Sequence, residues 1–278
     1  MLIVLITWNL SRRRWRYSRP DVLVLSVGKS GRTWLRVLLN KYLSLRFNTD
    51  FSLDDLHAVD QRIPSIGYEH EHWSHHALSN WHERLRGKFL VPADILRKKR
   101  VIVLYRDPRD VAVSLYFQNQ KRSNNRIDCT LEEFVRLQGR GVRGIVTVMN
   151  AWRKRLEGHP NCLWVSYEAL RRDTASELRR IVDFLGTATT SPEQVEEAVA
   201  FASFDNMQRL EASGGFSRGM LKPGVPGDPS SFKVRSGKVG GYRERFSAED
   251  LRFLDESVAA LDPFFGYAAN PAAATERS

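Results

Sequence analysis

Val22-Leu23-Val24-Leu25-Ser26-Val27-Gly28-Lys29-Ser30-Gly31-Arg32-Thr33-Trp34 is the stretch that decides the fold. The run of valine and leucine between Asp21 and Gly28 has the length and composition of a strand buried on both faces, as the parallel strands of α/β proteins are. Lys29-Ser30-Gly31 then makes a turn, and from Thr33 onward Trp34, Leu35, Leu38, Leu39 and Tyr42 recur at helical spacing. The backbone N–H groups of residues 30–34 are expected to point out of a helix N-terminus, where unpaired donors and the helix dipole bind anions and Lys29 adds a full charge.

Gly28-Lys29-Ser30 also closes the Walker A pattern of nucleotide triphosphatases, but the place where that pattern opens on glycine holds Leu23, inside the strand. The long loop that wraps a triphosphate is therefore missing. No apolar strand ending in a magnesium-binding aspartate stands out either, so the turn suits a shorter phosphate group without a metal.

A second strand-to-helix unit begins at Arg100. Val101-Ile102-Val103-Leu104-Tyr105 reads as a buried strand, Asp107 suits an N-cap, and Pro108 suits the first helical position. Arg106 then sits at the carboxyl end of a strand, with Ser114 about two turns along the next helix. Ligands of open parallel sheets bind outside those carboxyl ends, and a guanidinium fork suits a phosphate monoester. The plain alternative is a surface ion pair between Arg106 and Asp110.

Together the two units resemble the sulfotransferase family that uses 3′-phosphoadenosine 5′-phosphosulfate (PAPS). Its 5′-phosphosulfate loop reads Lys-Ser-Gly-Thr-Thr-Trp, against Lys29-Ser30-Gly31-Arg32-Thr33-Trp34 here. Its 3′-phosphate motif, Arg-x-Pro-x-Asp-x-x-x-Ser, is similar to the run carrying Arg106, Asp110 and Ser114. Arg235-Ser236-Gly237-Lys238-Val239-Gly240-Gly241-Tyr242-Arg243 resembles the Arg-Lys-Gly-x-x-Gly-Asp-Trp-Lys segment that closes over the cofactor. Val165 to Leu170 and Ala202 to Met207 look like two smaller family motifs beside the nucleotide. The matches run in family order over residues 21–266.

The resemblance implies a role for each matching residue. Lys29 would touch the oxygen bridging phosphate and sulfate, and Ser30, Gly31, Arg32 and Thr33 would hold the 5′-phosphate. Trp34 would stack near the adenine, with Tyr167, Ser203, Phe204 and Met207 framing the base. Arg106, Ser114 and Arg235 would grip the 3′-phosphate, helped by the backbone at Ser236 and Gly237. Trp34, Phe204 and Met207 could equally be core, and Gly237 a plain turn residue. Arg32 departs from the family by replacing a small hydroxyl residue, which adds a cation near the sulfate. Ser236 replaces a lysine, and Gly241 replaces an aspartate.

Sulfuryl transfer needs a base for the acceptor proton, and histidine suits neutral pH. Of seven histidines, His70, His72, His75, His76 and His82 crowd between the two phosphate-binding units, where the family places its base. That position follows a short apolar strand, so Ser65-Ile66-Gly67-Tyr68-Glu69-His70 makes His70 the first candidate and His72 the second. His72 and His76 could instead bind zinc at helical spacing, but neither H-E-x-x-H nor a cysteine pair is present, and no metal is expected.

The 278 residues and 42% hydrophobic content suffice for one large α/β core. Cys129 and Cys162 are the only cysteines, which excludes a disulfide scaffold and a thiolate zinc site and fits a reducing compartment, so a cytoplasmic location is expected. The net charge of +11 suits a polyanionic cofactor. No nucleic-acid module appears, and nucleic acid is not an expected partner. Met1 to Leu10 is apolar and Ser11 to Arg19 strongly basic; ten residues fall short of the about twenty that span a bilayer. Residues 1–19 therefore read as a loose arm or a peripheral membrane contact.

The remaining chain reads as scaffold. Thr130, Thr174 and Ser191 head capping-box sequences, Ser247 opens a last helix, and Cys162 to Tyr167 reads as a third core strand. Ser213 to Ser231, rich in glycine and proline, reads as a lid or a surface loop. The expected fold is a three-layer α/β/α domain over residues 20–278 with a central parallel sheet, like P-loop nucleotide kinases. The expected activity is sulfuryl transfer from PAPS to a hydroxyl or amine of a small-molecule, lipid or saccharide acceptor. The alternatives are an ATP-dependent phosphotransferase and a non-catalytic polyanion- or membrane-binding protein.

Overall fold

A computed structural model of the chain describes residues 14–71, 73–85, 90–122, 126–187, 191–213, 221, 232–234 and 237–267. Four strands, β1 (Val22–Ser26), β2 (Ile66–Glu69), β3 (Arg100–Tyr105) and β4 (Cys162–Ser166), form one all-parallel sheet in the order β2-β1-β3-β4. The valine and leucine runs become the two central strands because they alone can fill both faces with apolar side chains. Val22 to Leu25 and Val101 to Leu104 are all 0% exposed. β1 and β3 lie side by side, and the chain leaves β1 toward β2 on one flank and returns to β3 on the other. Their carboxyl ends mark the switch point where open α/β sheets bind ligands.

The chain divides into two compact units. The first takes Met1–Glu71, Val91–Tyr105 and His159–Gly237, and contains the whole sheet. Its flanking helices are α1 (Arg32–Phe47), α4 (Ala93–Leu96), α8 (Tyr167–Arg172), α9 (Thr174–Phe184), α10 (Pro192–Phe201) and α11 (Phe204–Ala212). Leu35, Leu38, Leu39 and Tyr42 of α1 join Val22, Val24, Ile102 and Leu104 in the core, beside Leu178 and Ile181 of α9 and Val195 and Ala198 of α10. The second unit takes His72–Leu90, Arg106–Gly158 and Lys238–Ser278. Its helices are α2 (Trp73–Leu78), α3 (Trp81–Leu85), α5 (Pro108–Arg122), α6 (Leu131–Arg136), α7 (Val142–Arg155) and α12 (Ala248–Ala259). No helix among the described residues is long and apolar enough to cross a membrane.

Several local expectations shift by a residue. The fourth strand stops at Ser166 and does not include Tyr167, because the Ser166 hydroxyl accepts the Ala169 N–H at 2.9 Å and starts α8. It is also an edge strand, with only Val165 fully buried. Thr130 forms the expected reciprocal capping box with Glu133. The cap expected at Thr174 belongs to Asp173, whose carboxylate accepts the Ser176 N–H at 3.0 Å. At Ser191 the hydroxyl donates to the Glu193 carboxylate instead of capping the backbone. Ser247 caps α12 as expected, accepting from Asp250 N–H at 3.2 Å. Of the proposed lid at 213–231, only Ser213 and Leu221 are among the described residues.

The described part of the amino-terminal arm is not loose. Residues 14–18 form a helical turn with Tyr17 only 1% exposed. Arg14 donates to Asp94 at 2.5 and 3.2 Å, and Lys99 Nζ donates to the carbonyls of Ser18 and Pro20, both at 2.6 Å. Residues 1–13 lie outside the described residues.

Leu38→Ala tests the core. Leu38 is 0% exposed at the centre of the first unit, so truncation should cost about 2–5 kcal/mol, read as a fall in the denaturation midpoint at unchanged slope.

Candidate active site

The turn after β1 is built from unusual backbone. Lys29 has φ 72° and Gly31 φ 96°, so two residues of the loop take left-handed conformations. Gly31 must be glycine for a second reason: a Cβ there would lie 2.6 Å from Cδ2 of Tyr167. The Ser30 N–H is turned back to the Val27 carbonyl at 3.3 Å, so it does not join the donors expected at 30–34. The first helical bond is Leu35 N–H to Gly31 carbonyl at 3.0 Å. The N–H groups of Arg32, Thr33 and Trp34 therefore precede the ladder, at the end of α1 where the helix dipole favours negative charge.

Tyr167 connects this loop to the rest of the first unit. Its ring meets Trp34 edge to face at 5.8 Å, and its hydroxyl donates to the Gly237 carbonyl at 3.4 Å. Gly237, at φ 58°, lies so close to Phe204 that a Cβ would come within 3.0 Å of that ring. Trp34 is fixed by a hydrogen bond from Nε1 to the Ala202 carbonyl at 2.8 Å. The structure thus brings Gly31, Trp34, Tyr167, Phe204 and Gly237 into one chain of contacts. Ser203 is exposed at the start of α11, and Met207 is buried in the core cluster. Arg235, Ser236 and the second base candidate His72 lie outside the described residues.

His70 follows β2 directly. Its Nδ1 is 2.7 Å from the Ser26 carbonyl oxygen. A carbonyl only accepts, so Nδ1 carries the proton and Nε2 keeps its lone pair. Burial, with the positive charges of Arg32 and Lys233, pushes the His70 pKa down to about 4, against the opposing pull of the Ser26 bond. The imidazole is therefore neutral at pH 7. Arg32 is itself lowered by burial, with Glu69 opposing that shift and Arg36 and Arg16 adding to it. The cation that departs from the family motif thus lies among the charges that act on His70.

Arg106 and Ser114 belong to the second unit. Arg106 Nη2 donates to the Lys238 carbonyl at 2.8 Å and is 3.4 Å from Asp110 Oδ2. Asp110, 4% exposed, also accepts the N–H groups of Gly240 at 2.8 Å and Tyr242 at 3.1 Å. Asp110 therefore serves chiefly to hold residues 238–242. Ser114 is half-buried on α5. Asp107 caps α5 by accepting the Arg109 N–H at 2.9 Å, and the buried Arg109 guanidinium pairs with Asp107 at 2.7 Å and Asp255 at 2.5 Å.

Sequence reasoning missed three residues around the site. Arg171, one turn after Tyr167, places its guanidinium 5.6 Å from the Trp34 ring. Glu211, 0% exposed, accepts the N–H groups of Lys233 at 2.8 Å and Val234 at 3.1 Å, immediately before Arg235. Arg16 donates twice to Glu69, the residue before His70. Only Arg171 had a local signal, its helical spacing from Tyr167; the other two act across long sequence separations.

The parallel α/β sheet, with a glycine turn into a helix at the end of β1 and a histidine at the end of β2, is the frame of a nucleotide-dependent transferase, the class to which the sequence match assigns the chain. Residues 19–261 match the sulfotransferase domain, and the chain belongs to that family. Cytosolic sulfotransferase 12 of Arabidopsis thaliana is 24% identical over 266 residues, covering 90% of this chain and 79% of the relative. Flavonol 3-sulfotransferase of Flaveria bidentis is 22% identical over 264 residues, covering 90% and 81%. Among solved structures, a mouse sulfotransferase complexed with PAP matches with a TM-score of 0.59 at 18% identity, covering 92% of this chain and 86% of that one. Retinol dehydratase in a complex with retinol and PAP matches at 0.55 and 21%, covering 86% and 80%.

The His70 environment gives a signed expectation. The folded chain keeps His70 neutral down to about pH 4, whereas the unfolded chain protonates it near 6.5. Between those values the unfolded state binds more protons, so this group makes stability rise with pH, and its contribution is level above about 6.5. Replacing Arg32 by threonine removes one depressing charge and should raise the His70 pKa toward 6.5, read from the imidazole nitrogen shifts across a pH titration.

Proposed function

We propose that this sulfotransferase moves the sulfuryl group of PAPS to a hydroxyl or amine of a small-molecule acceptor, with His70 as general base. PAPS is the co-substrate, in line with the family and with structural neighbours solved with PAP. The observation that carries the base assignment is the 2.7 Å bond from His70 Nδ1 to the Ser26 carbonyl, which leaves Nε2 able to receive a proton. The acceptor oxygen or nitrogen attacks sulfur in line, forming the new bond to sulfur while the bond from sulfur to the bridging phosphate oxygen breaks. The acceptor proton passes to Nε2, and 3′-phosphoadenosine 5′-phosphate leaves with the bonding electrons.

What supports a phosphosulfate at the turn is the three N–H groups that precede the helical ladder, with the loop held in shape by the close approach of Tyr167 to Gly31. In this reading Lys29 neutralises charge growing on the leaving oxygen, and Ser30, Gly31, Arg32 and Thr33 hold the 5′-phosphate. Trp34, Tyr167, Ser203, Phe204 and Met207 frame the adenine. Arg106, Ser114, Arg235, Ser236 and Gly237 take the 3′-phosphate by virtue of their motifs. The flavonol relative and a 3-alpha-hydroxysteroid sulfotransferase of Cavia porcellus, 29% identical over 178 residues, favour a small hydroxylated acceptor. Cytosolic sulfotransferases among the relatives favour a cytoplasmic location.

The direct test is transfer of labelled sulfate from PAPS to a panel of flavonols, steroids, phenols and amines. Lys29→Ala should lower kcat at least a hundredfold, as loss of a preorganised charge at the leaving oxygen does. His70→Ala should lower it by about 10²–10⁴. Transfer at the wild-type rate by Lys29→Ala would sink the assignment.

A further inference from the structure

We propose that Arg16, upstream of the sulfotransferase domain, is a positioning residue for the active-site base, acting through its two hydrogen bonds to Glu69. The inference rests on His70 being the base and deepens that reading. The family match begins at residue 19, so this contact comes from a part of the chain that the match does not cover.

The geometry is specific. Arg16 Nε donates to Glu69 Oε1 at 2.7 Å and Nη2 donates to Oε2 at 2.8 Å, a two-pronged pairing that fixes the plane of the carboxylate. Glu69 is 7% exposed, whereas the Arg16 side chain is 59% exposed. An exposed pair contributes little, but this one neutralises a buried carboxylate at the end of a strand, and such a group is costly to leave without its partner. Glu69 pairs in register with Leu25 of β1, and the next residue on each strand joins through the bond from His70 to the Ser26 carbonyl. Fixing Glu69 therefore fixes the residue that precedes the base.

The backbone that carries the donor has ties of its own. Tyr17 is buried next to Arg16, Arg14 pairs with Asp94, and Lys99 ties down the carbonyls of Ser18 and Pro20. Asp21 then exchanges two bonds with Ser65, its N–H donating to the Ser65 carbonyl and its carboxylate accepting the Ser65 N–H, both at 2.9 Å. The segment from 14 to 21 is thus tied at Asp94, Lys99, Ser65 and Glu69, the last of these directly before His70.

Charge follows the same arrangement. Glu69 is pushed up by burial and pulled down by Arg16 and Arg32, while His70 is pushed down by Arg32 and Lys233. The two bonds from Arg16 neutralise Glu69, the residue before His70. Without Arg16 the buried carboxylate loses its paired cation, and negative charge beside the imidazole favours its protonated form.

The test uses the full chain carrying Arg16→Met, Arg16→Lys, Glu69→Gln and the Arg16→Met/Glu69→Gln double substitution. Imidazole nitrogen shifts report His70 without any acceptor: in Arg16→Met its pKa should rise above the wild-type value. With an acceptor found in the transfer screen, Arg16→Met should lower kcat about tenfold, as misplacement of a reacting group does. The KM for PAPS and the affinity for 3′-phosphoadenosine 5′-phosphate should stay within about twofold. Arg16→Lys should recover part of the loss, and the double variant should be no slower than Glu69→Gln alone. Unchanged His70 shifts in Arg16→Met, a lower Tm with kcat untouched, or multiplying losses in the double variant would each overturn the proposal. If His70→Ala transfers at the wild-type rate, the base assignment itself fails, a result read separately from the behaviour of Arg16.

Discussion

The contact on which the proposed chemistry depends is the hydrogen bond from His70 to the carbonyl of Ser26, at the last residue of β1. A backbone carbonyl cannot donate, so the bond decides which imidazole nitrogen holds the proton and leaves the other basic. The same bond ties the end of the edge strand β2 to the end of the buried strand β1. Because Val22 to Leu25 are fully enclosed, the Ser26 carbonyl is a rigid reference point, and the His70 ring inherits that rigidity. The glycine turn leaves β1 only two residues later. In the proposed mechanism, nucleophile activation and leaving-group stabilisation are thus referred to a single strand end.

Charge around this point is arranged in opposition. The helix end and Lys29 supply the positive field that a phosphosulfate needs, and that field disfavours a protonated histidine. Burial and the neighbouring Arg32 and Lys233 keep the imidazole neutral, ready to accept a proton but weakly basic. Arg32, the residue that departs most from the family loop, contributes to this balance, with Glu69 taking part of its charge.

Much of the fold was legible in the sequence because its signals are local. The valine and leucine run, the glycine turn and the helical spacing after Thr33 lie within one short stretch, and each obeys a rule that needs no tertiary information. Tyr167, Phe204 and Gly237 could be placed only through the family resemblance, since nothing local says that a tyrosine ring will occupy the space over Gly31. Arg16 and Glu69 lie 53 residues apart, and the basic arm around Arg16 read as a loose arm or a peripheral membrane contact. The capping shift from Thr174 to Asp173 reflects competition between adjacent cap-forming residues, which sequence pattern alone does not resolve.

Asp110 holds the carboxyl-terminal segment by a means that leaves its sequence largely open. Its two accepted bonds come from the backbone N–H groups of Gly240 and Tyr242, which every residue except proline possesses. These two bonds therefore place no demand on the side chains they hold, as the change from Gly-Asp-Trp to Gly-Gly-Tyr illustrates, although the buried Tyr242 ring packs against Arg109. What the contact itself requires is a carboxylate on one helix, a left-handed residue at Gly240, and the absence of proline at two positions. A motif recognised by its letters is, at this point in the chain, maintained by its main chain.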